Sequence, residues 1–353
     1  MRVFATFVIL CATAAPSFAQ PFSNAQTSLA GYAVTDAVAQ KACDSLATFK
    51  GNGIVTIQAR VVPATADTPQ LCRVTGVITP EVALEVNLPD RWNRRFYMTG
   101  NGGLAGDALD GPTNPDRTAA LTNGFVMART NTGHDARKEP SGSFILSNPK
   151  KAIDYAYRAV HVTAETAKQI ATAYYARPVS FSYWNSCSNG GRQGLLEAQR
   201  FPDDFDGIVA NAPWVDQTGF TIGAMWNQKA LTEAPVSPAK LNLVADAAMA
   251  KCDAVDGLKD GLIDDPRACS FDPTRDVAAC REGTDTPDCL TAAQAMTVKK
   301  IYSGPSSNGK PLFPGYMVGR SAECRAQRRD VERLGQRDRS RSAEREARGF
   351  QSR

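Results

Sequence analysis

Histidine is nearly missing from this sequence: its 353 residues hold two, His134 and His161. None follows position 161, so the second half of the chain has no imidazole of its own. Long apolar runs are missing too beyond residue 19, which excludes a later membrane-spanning helix. Neither sign of charge is in strong excess. The net value of +4 points to no polyanionic partner, nucleic acid included.

Residues 1–19 carry an early Arg2, an apolar run over 3–15, and Ser17-Phe18-Ala19 with small residues flanking a cleavage point. This is the pattern of a cleaved export signal, too short to serve as a membrane anchor. Leu10 is too bulky just before Cys11 for a lipid anchor there. A periplasmic or secreted protein is expected. Without Cys11 eight cysteines remain, at 43, 72, 187, 252, 269, 280, 289 and 324. In an exported chain these read as bridges rather than metal ligands. Spacing alone does not choose their partners.

The length suits one large domain with an insertion, or two domains. Short β-rich runs at 83–88, 95–99 and 125–129 are bounded by Gly, Pro or Asn. Residues 148–175 read as a helix, because Ile153, Tyr157, Val160, Ala164, Ala167 and Ile170 recur at spacings of three or four. Pro149 suits its first turn and Arg177-Pro178 ends it. A strand at 179–184, a helix running to Arg200 and a strand at 207–211 follow. Strands alternating with helices predict an α/β core with a mainly parallel sheet over residues 20–213. Over 214–319 strand signals thin and Asp, Gly, Pro and Cys rise, as in an inserted, loop-rich region. Residues 320–353 are crowded with Arg, Glu, Gln and Ser and cannot bury a core, so they read as a disordered basic tail.

The most informative stretch is Trp184-Asn185-Ser186-Cys187-Ser188-Asn189-Gly190-Gly191-Arg192-Gln193-Gly194. It reads as a strand, a sharp turn with a serine at its tip, and a helix. A serine so placed is the nucleophile elbow of the α/β-hydrolases. The turn lifts the hydroxyl above the sheet, and small residues are needed on either side because strand and helix pass close together. Ser186 and Gly190 meet that need, although Ser186 replaces the first glycine of the strict G-x-S-x-G pattern. The helix N-terminus and the Asn189 N–H can stabilise a developing oxyanion. An ordinary strand-to-helix turn is the competing reading of these residues alone.

The same block, continued by Glu197-Ala198-Gln199-Arg200-Phe201-Pro202-Asp203-Asp204-Phe205-Asp206-Gly207-Ile208-Val209, closely resembles the tannase and feruloyl esterase family. That family also contains the enzyme hydrolysing mono-hydroxyethyl terephthalate. The resemblance runs over roughly residues 42–319, with glycine in the family where Ser186 stands here. It implies a carboxylesterase with an α/β-hydrolase core and an inserted lid, Ser188 as nucleophile, and an acyl-enzyme formed on small aromatic (phenolic acid) esters. Lid residues within 214–319 would select the acyl group. The run Tyr97-Met98-Thr99-Gly100-Asn101-Gly102-Gly103-Leu104-Ala105-Gly106 then reads as the turn that supplies the second oxyanion N–H in this fold. Gly103 is the first choice and Gly102 the next; read alone, the run is a plain glycine loop.

Thr132-Gly133-His134-Asp135 invites reading as a catalytic pair. In this fold the chain order is serine, acid, histidine, so His134 is expected to be structural. His161, on the flank of the long helix's apolar face, is expected at the core edge.

Cys252-Asp253-Ala254-Val255-Asp256-Gly257-Leu258-Lys259-Asp260-Gly261-Leu262-Ile263-Asp264-Asp265 packs hard oxygen donors into one tight loop, as calcium requires. The spacing is not that of an EF-hand, and a solvated acidic turn is the competing reading. The resemblance implies a structural Ca²⁺ in the lid, held by the side chains of Asp253, Asp256 and Asp260 and the carbonyls of Leu258 and Leu262. Beside it, Cys252–Cys269 would staple this loop, Cys280–Cys289 would close a second, and Cys43–Cys72 would tie the N-terminal segment. In the family the cysteine preceding the nucleophile pairs with one directly after the catalytic histidine. Cys187 matches the first, the second is absent, and Cys187 is expected to be unpaired.

A nucleophilic serine needs a base and an acid to orient it. The family's Asp and His-Cys follow the lid, beyond Pro311-Leu312-Phe313-Pro314-Gly315-Tyr316, where this sequence turns Arg-rich. Such a change is what a shifted reading frame yields in GC-rich coding DNA. The C-terminus therefore reads as frameshifted or truncated after about Gly319, with core strands missing; an evolved basic tail is the competing reading. The second functional reading of the literal chain is a non-catalytic calcium-binding module, or a non-functional remnant.

Overall fold

The structure, a computed structural model, describes residues 36–51, 53–109 and 115–319. The expected export signal and the basic tail with Cys324 lie outside the described residues. The chain divides into two compact units, Met1–Val215 and Asp216–Arg353.

The first unit is built on a seven-stranded sheet: β1 (Ile54–Val62), β2 (Leu71–Ile78), β3 (Val82–Pro89), β4 (Arg95–Met98), β5 (Val126–Thr130), β6 (Phe181–Cys187) and β7 (Gly207–Asn211). Their spatial order is β1-β2-β3-β5-β4-β6-β7. The pairs β1/β2, β2/β3 and β3/β5 are antiparallel, and β5/β4, β4/β6 and β6/β7 are parallel. The sheet is thus mixed, which corrects the expectation of a mainly parallel one. Two strands, β1 and β2, escaped the sequence reading; the larger apolar residues of β1, Ile54, Val55, Ile57, Val61 and Val62, keep no strict period of two. Residues 79–81 alone connect β2 to β3, and so short a link permits only an antiparallel hairpin.

Three helices flank this sheet: α1 (Pro115–Thr122), α2 (Ala159–Tyr175) and α3 (Asn189–Arg200). Val160, Ala164, Ala167, Ile170 and Ala171 of α2 share a buried core with Val74, Leu84, Val86, Leu88, Phe96 and Met98. Period-two alternation turns Glu85 and Asn87 of β3 to the other face, where Leu121 of α1 packs with Met127 and Leu71. Glu85 is fully buried and pairs with Arg73, with Arg117 at 3.1 Å and with Arg129 at 3.3 Å. Three guanidiniums offset the desolvation of that carboxylate, which alone would be strongly unfavourable.

The helix expected over 148–175 has an interruption. Pro149–Ile153 is α-helical with the Asn148 side chain as its cap, Asp154–Arg158 is a π-helical turn, and α2 continues to Tyr175. A disulfide joins Cys43 to Cys72.

The second unit carries α4 (Gln217–Glu233), α5 (Pro238–Cys252) and α6 (Ala292–Ser303). Val244, Val277, Leu290, Ala295 and Val298 form its core. It is more helical than the loop-rich region expected. The signals were present as caps: Ser237 before Pro238, and Thr291 with Gln294 as a reciprocal capping box. Disulfides join Cys252 to Cys269 and Cys280 to Cys289. No described helix is long and apolar enough to cross a membrane.

Candidate active site

Between the end of β6 and the start of α3, Ser188 stands at φ 60° and ψ −121°. A non-glycine residue held there costs about 1–3 kcal/mol and persists only where its surroundings over-determine it. They do so here. The Ser188 N–H donates to Asn211 O at 3.0 Å, while Ser188 O accepts from Arg192 N at 3.1 Å and Trp214 N at 2.9 Å. The turn is pinned to the end of β7 and to the chain leaving it. Ser188 is exposed while Asn189 and Gly190 behind it are buried. Its hydroxyl makes no capping bond to α3, which leaves it available for chemistry.

Close approach explains the glycines. A Cβ on Gly190 would lie 1.9 Å from Ser186 Oγ and 3.3 Å from Gly100 Cα. Ser186 can therefore replace a glycine because position 190 has no side chain. The loop after β4 is tied to α3: Asn101 N donates to Gln193 Oε1 at 3.0 Å, and Gln193 Nε2 donates to Asn101 Oδ1 at 3.1 Å. Asn101 Nδ2 also reaches Thr130 O at 2.8 Å. Beyond this anchor Gly102 and Gly103 are exposed, with Gly103 at φ 50°.

Behind the turn lies a buried polar knot. Arg192 Nε donates to Asn189 Oδ1 at 2.7 Å, Nη1 to Ala156 O at 2.9 Å, and Nη2 to Tyr155 O at 3.1 Å. Burial lowers the Arg192 pKa, against the opposing pull of Tyr155; a guanidinium stays charged regardless. The Tyr155 hydroxyl lies 3.2 Å from Asn189 Oδ1 and 3.4 Å from Gly103 O. The structure thus brings Ser188, Asn189 and the Gly102–103 loop together. Sequence reading assigned no role to Asn101, Tyr155, Arg192 or Gln193. Three of them stand inside the quoted motifs, whereas Tyr155 gave no signal, because a π-turn follows no regular period.

His134 is 2 % exposed and stacks on Phe144 with ring centroids 3.8 Å apart. Burial chiefly lowers its pKa, with Glu139 opposing, so it is held neutral. His161 Nδ1 lies 2.7 Å from Asp204 Oδ2, and the ring stacks on Phe201. Neither histidine makes a hydrogen bond to Ser188 among the described residues. Cys187 is exposed and in no disulfide.

The acidic loop of the second unit folds on itself. Asp253 Oδ1 accepts from Gly261 N, Asp256 Oδ1 from Leu258 N, and Asp260 Oδ1 from Leu262 N, at 2.8, 2.8 and 3.1 Å. The three carboxylates do not converge to within 4.8 Å of one another. Among the described residues the set that does is His161, Glu197 and Asp204, in the first unit.

A serine at positive φ between a parallel strand and a buried helix, beside a glycine loop leaving the neighbouring strand, defines the α/β-hydrolase class. More narrowly, the tannase and feruloyl esterase family matches residues 66–348, and the chain belongs to that family. The match begins later and ends further on than the expected 42–319. An uncharacterised esterase of Xanthomonas campestris is 35% identical over 309 residues, covering 81% of this chain and 52% of the relative. The mono(2-hydroxyethyl) terephthalate hydrolase of Piscinibacter sakaiensis is 31% identical, covering 77% of this chain and 54% of its own length. Among solved structures, feruloyl esterase B from Aspergillus oryzae superposes with a TM-score of 0.61 at 29% identity, over 78% of this chain and 59% of that one. The chain thus spans about half the length of the curated relatives it matches.

Proposed function

We propose that this chain carries the acyl-transfer site of an exported carboxylic ester hydrolase acting on small aromatic esters. The observation that supports it most is Ser188: exposed, held at positive φ by three backbone hydrogen bonds, at the N-terminus of a buried helix. Ser188 Oγ attacks the ester carbonyl, and the N–H groups of Asn189 and of Gly103, with Gly102 beside it, receive the oxyanion. Collapse of the tetrahedral adduct expels the alcohol and leaves the acyl-enzyme, which water then hydrolyses. The names of the relatives support an aromatic acyl group, and three disulfides support export.

His134 and His161 are both committed elsewhere, which favours the second reading, a non-catalytic calcium-binding module or a non-functional remnant. Supplying the base from solution separates the two. With imidazole added, hydrolysis of methyl ferulate should rise in the protein and stay at the background in the Ser188→Ala variant. Equal rates in both proteins would sink the hydrolase reading.

We further propose, from its oxygen donors, that the 253–262 loop closes around a structural calcium ion through Asp253, Asp256 and Asp260 and the carbonyls of Leu258 and Leu262. The glycines at φ 96° (Gly257) and 84° (Gly261) give it the freedom to do so.

A further inference from the structure

The π-helical turn Asp154–Arg158 interrupts an otherwise continuous α-helix, and such insertions cluster at functional sites. Within it the Ala159 N–H donates to Asp154 O, five residues back. The widened turn offers the carbonyls of Tyr155 and Ala156 to Arg192 Nη2 and Nη1, and it aims the Tyr155 ring at the serine turn. The guanidinium lies 4.8 Å from the centre of that ring, and the ring leans on Phe144 at 5.5 Å. Tyr155 is thus fixed from two sides. Its single hydroxyl proton is shared between Gly103 O at 3.4 Å and Asn189 Oδ1 at 3.2 Å.

These two acceptors belong to the two residues proposed to receive the oxyanion. They come from different elements, the loop after β4 and the first turn of α3, and Gly103 has no side chain with which to anchor itself. We infer that Tyr155 is a positioning residue that locks the two halves of the oxyanion hole to each other, with Arg192 as its brace. The inference rests on the nucleophile reading above. An oxyanion donor works because it is fixed before charge develops; a loop free to move must be ordered in the transition state.

Tyr155→Phe removes the hydroxyl and keeps the ring. With imidazole supplied, the Ser188-dependent kcat on a 4-nitrophenyl ester should fall roughly tenfold, against the 10²–10³ known for outright loss of a donor. KM should change less than about twofold, because the ground-state ester gains little from the hole. Amide hydrogen exchange at residues 102–105 should rise while the melting temperature hardly moves, which a purely structural role would not produce. An unchanged kcat, or unchanged exchange at 102–105, overturns the inference. If the protein and Ser188→Ala hydrolyse the ester equally, the nucleophile reading has failed, and the exchange measurement alone decides the clamp.

Discussion

Single residues carry the tightest tests. Gly190→Ala places a methyl where Ser186 Oγ lies 1.9 Å away, so the elbow must shift. We expect a loss of about 1–3 kcal/mol, as in other overpacked sites, measured by urea unfolding. In a Ser186→Gly background the same change should be milder, and simple additivity of the two would show that the pair is not in contact. Glu197 gives a test by pH. Burial, and then the neighbouring Asp204 carboxyl, push its pKa up to about 9 against the pull of Lys168. A carboxyl raised in the folded state stabilises fully below its unfolded value, 4.5, and loses that contribution as pH rises through the folded value. Melting temperature should therefore decline between about pH 5 and 9, on the order of 5 °C. Glu197→Gln should flatten that decline; a variant with the same slope would place the titration elsewhere.

Among the elements, legibility followed burial and period for β3 to β7 and the long helix, but not for β2, which escaped although none of its residues is exposed. The strands β3 to β7 and the long helix announced themselves because their apolar residues recur at the spacing of a strand or a helix. β1 did not, because its apolar residues keep no strict alternation, and the π-turn did not, because an extra residue breaks the helical period. The strand, tight turn and helix around Ser188 were legible, since such a turn needs small neighbours, but the bonds of Asn101, Arg192 and Gln193 that hold it were not. The Glu85 cluster was invisible, because its arginines come from β2, α1 and β5 and meet only in three dimensions. In the second unit the helix caps were readable but were outweighed by Gly and Pro. Thr291→Ala should cost about 1 kcal/mol by removing the cap of α6, seen as a lower urea midpoint; no change would mean the helix is held by packing alone. The aspartate loop has its own test. Calcium at a hundredfold excess over its Kd should stabilise the protein by about 3 kcal/mol, and Asp253→Ala should abolish the gain. A thermal shift identical in both proteins would exclude that loop as the site.

For the whole molecule, the fold accounts for how Ser188 is exposed at positive φ at the head of a buried helix, and family membership supports the proposal that such a serine acts in ester hydrolysis. The sequence alone made one mismatch plain: a serine turn in a chain whose two histidines both lie upstream of it; the structure adds that His134 is a buried stacking partner and that His161 is bound to Asp204. That mismatch fixes the direct test of the central claim, that Ser188 is a presented nucleophile. Hydrolysis of methyl ferulate is followed for the protein and for Ser188→Ala, each with and without added imidazole. A rate that imidazole raises only when Ser188 is present is the predicted result. Four indistinguishable rates, once the reaction of imidazole itself is subtracted, would contradict it.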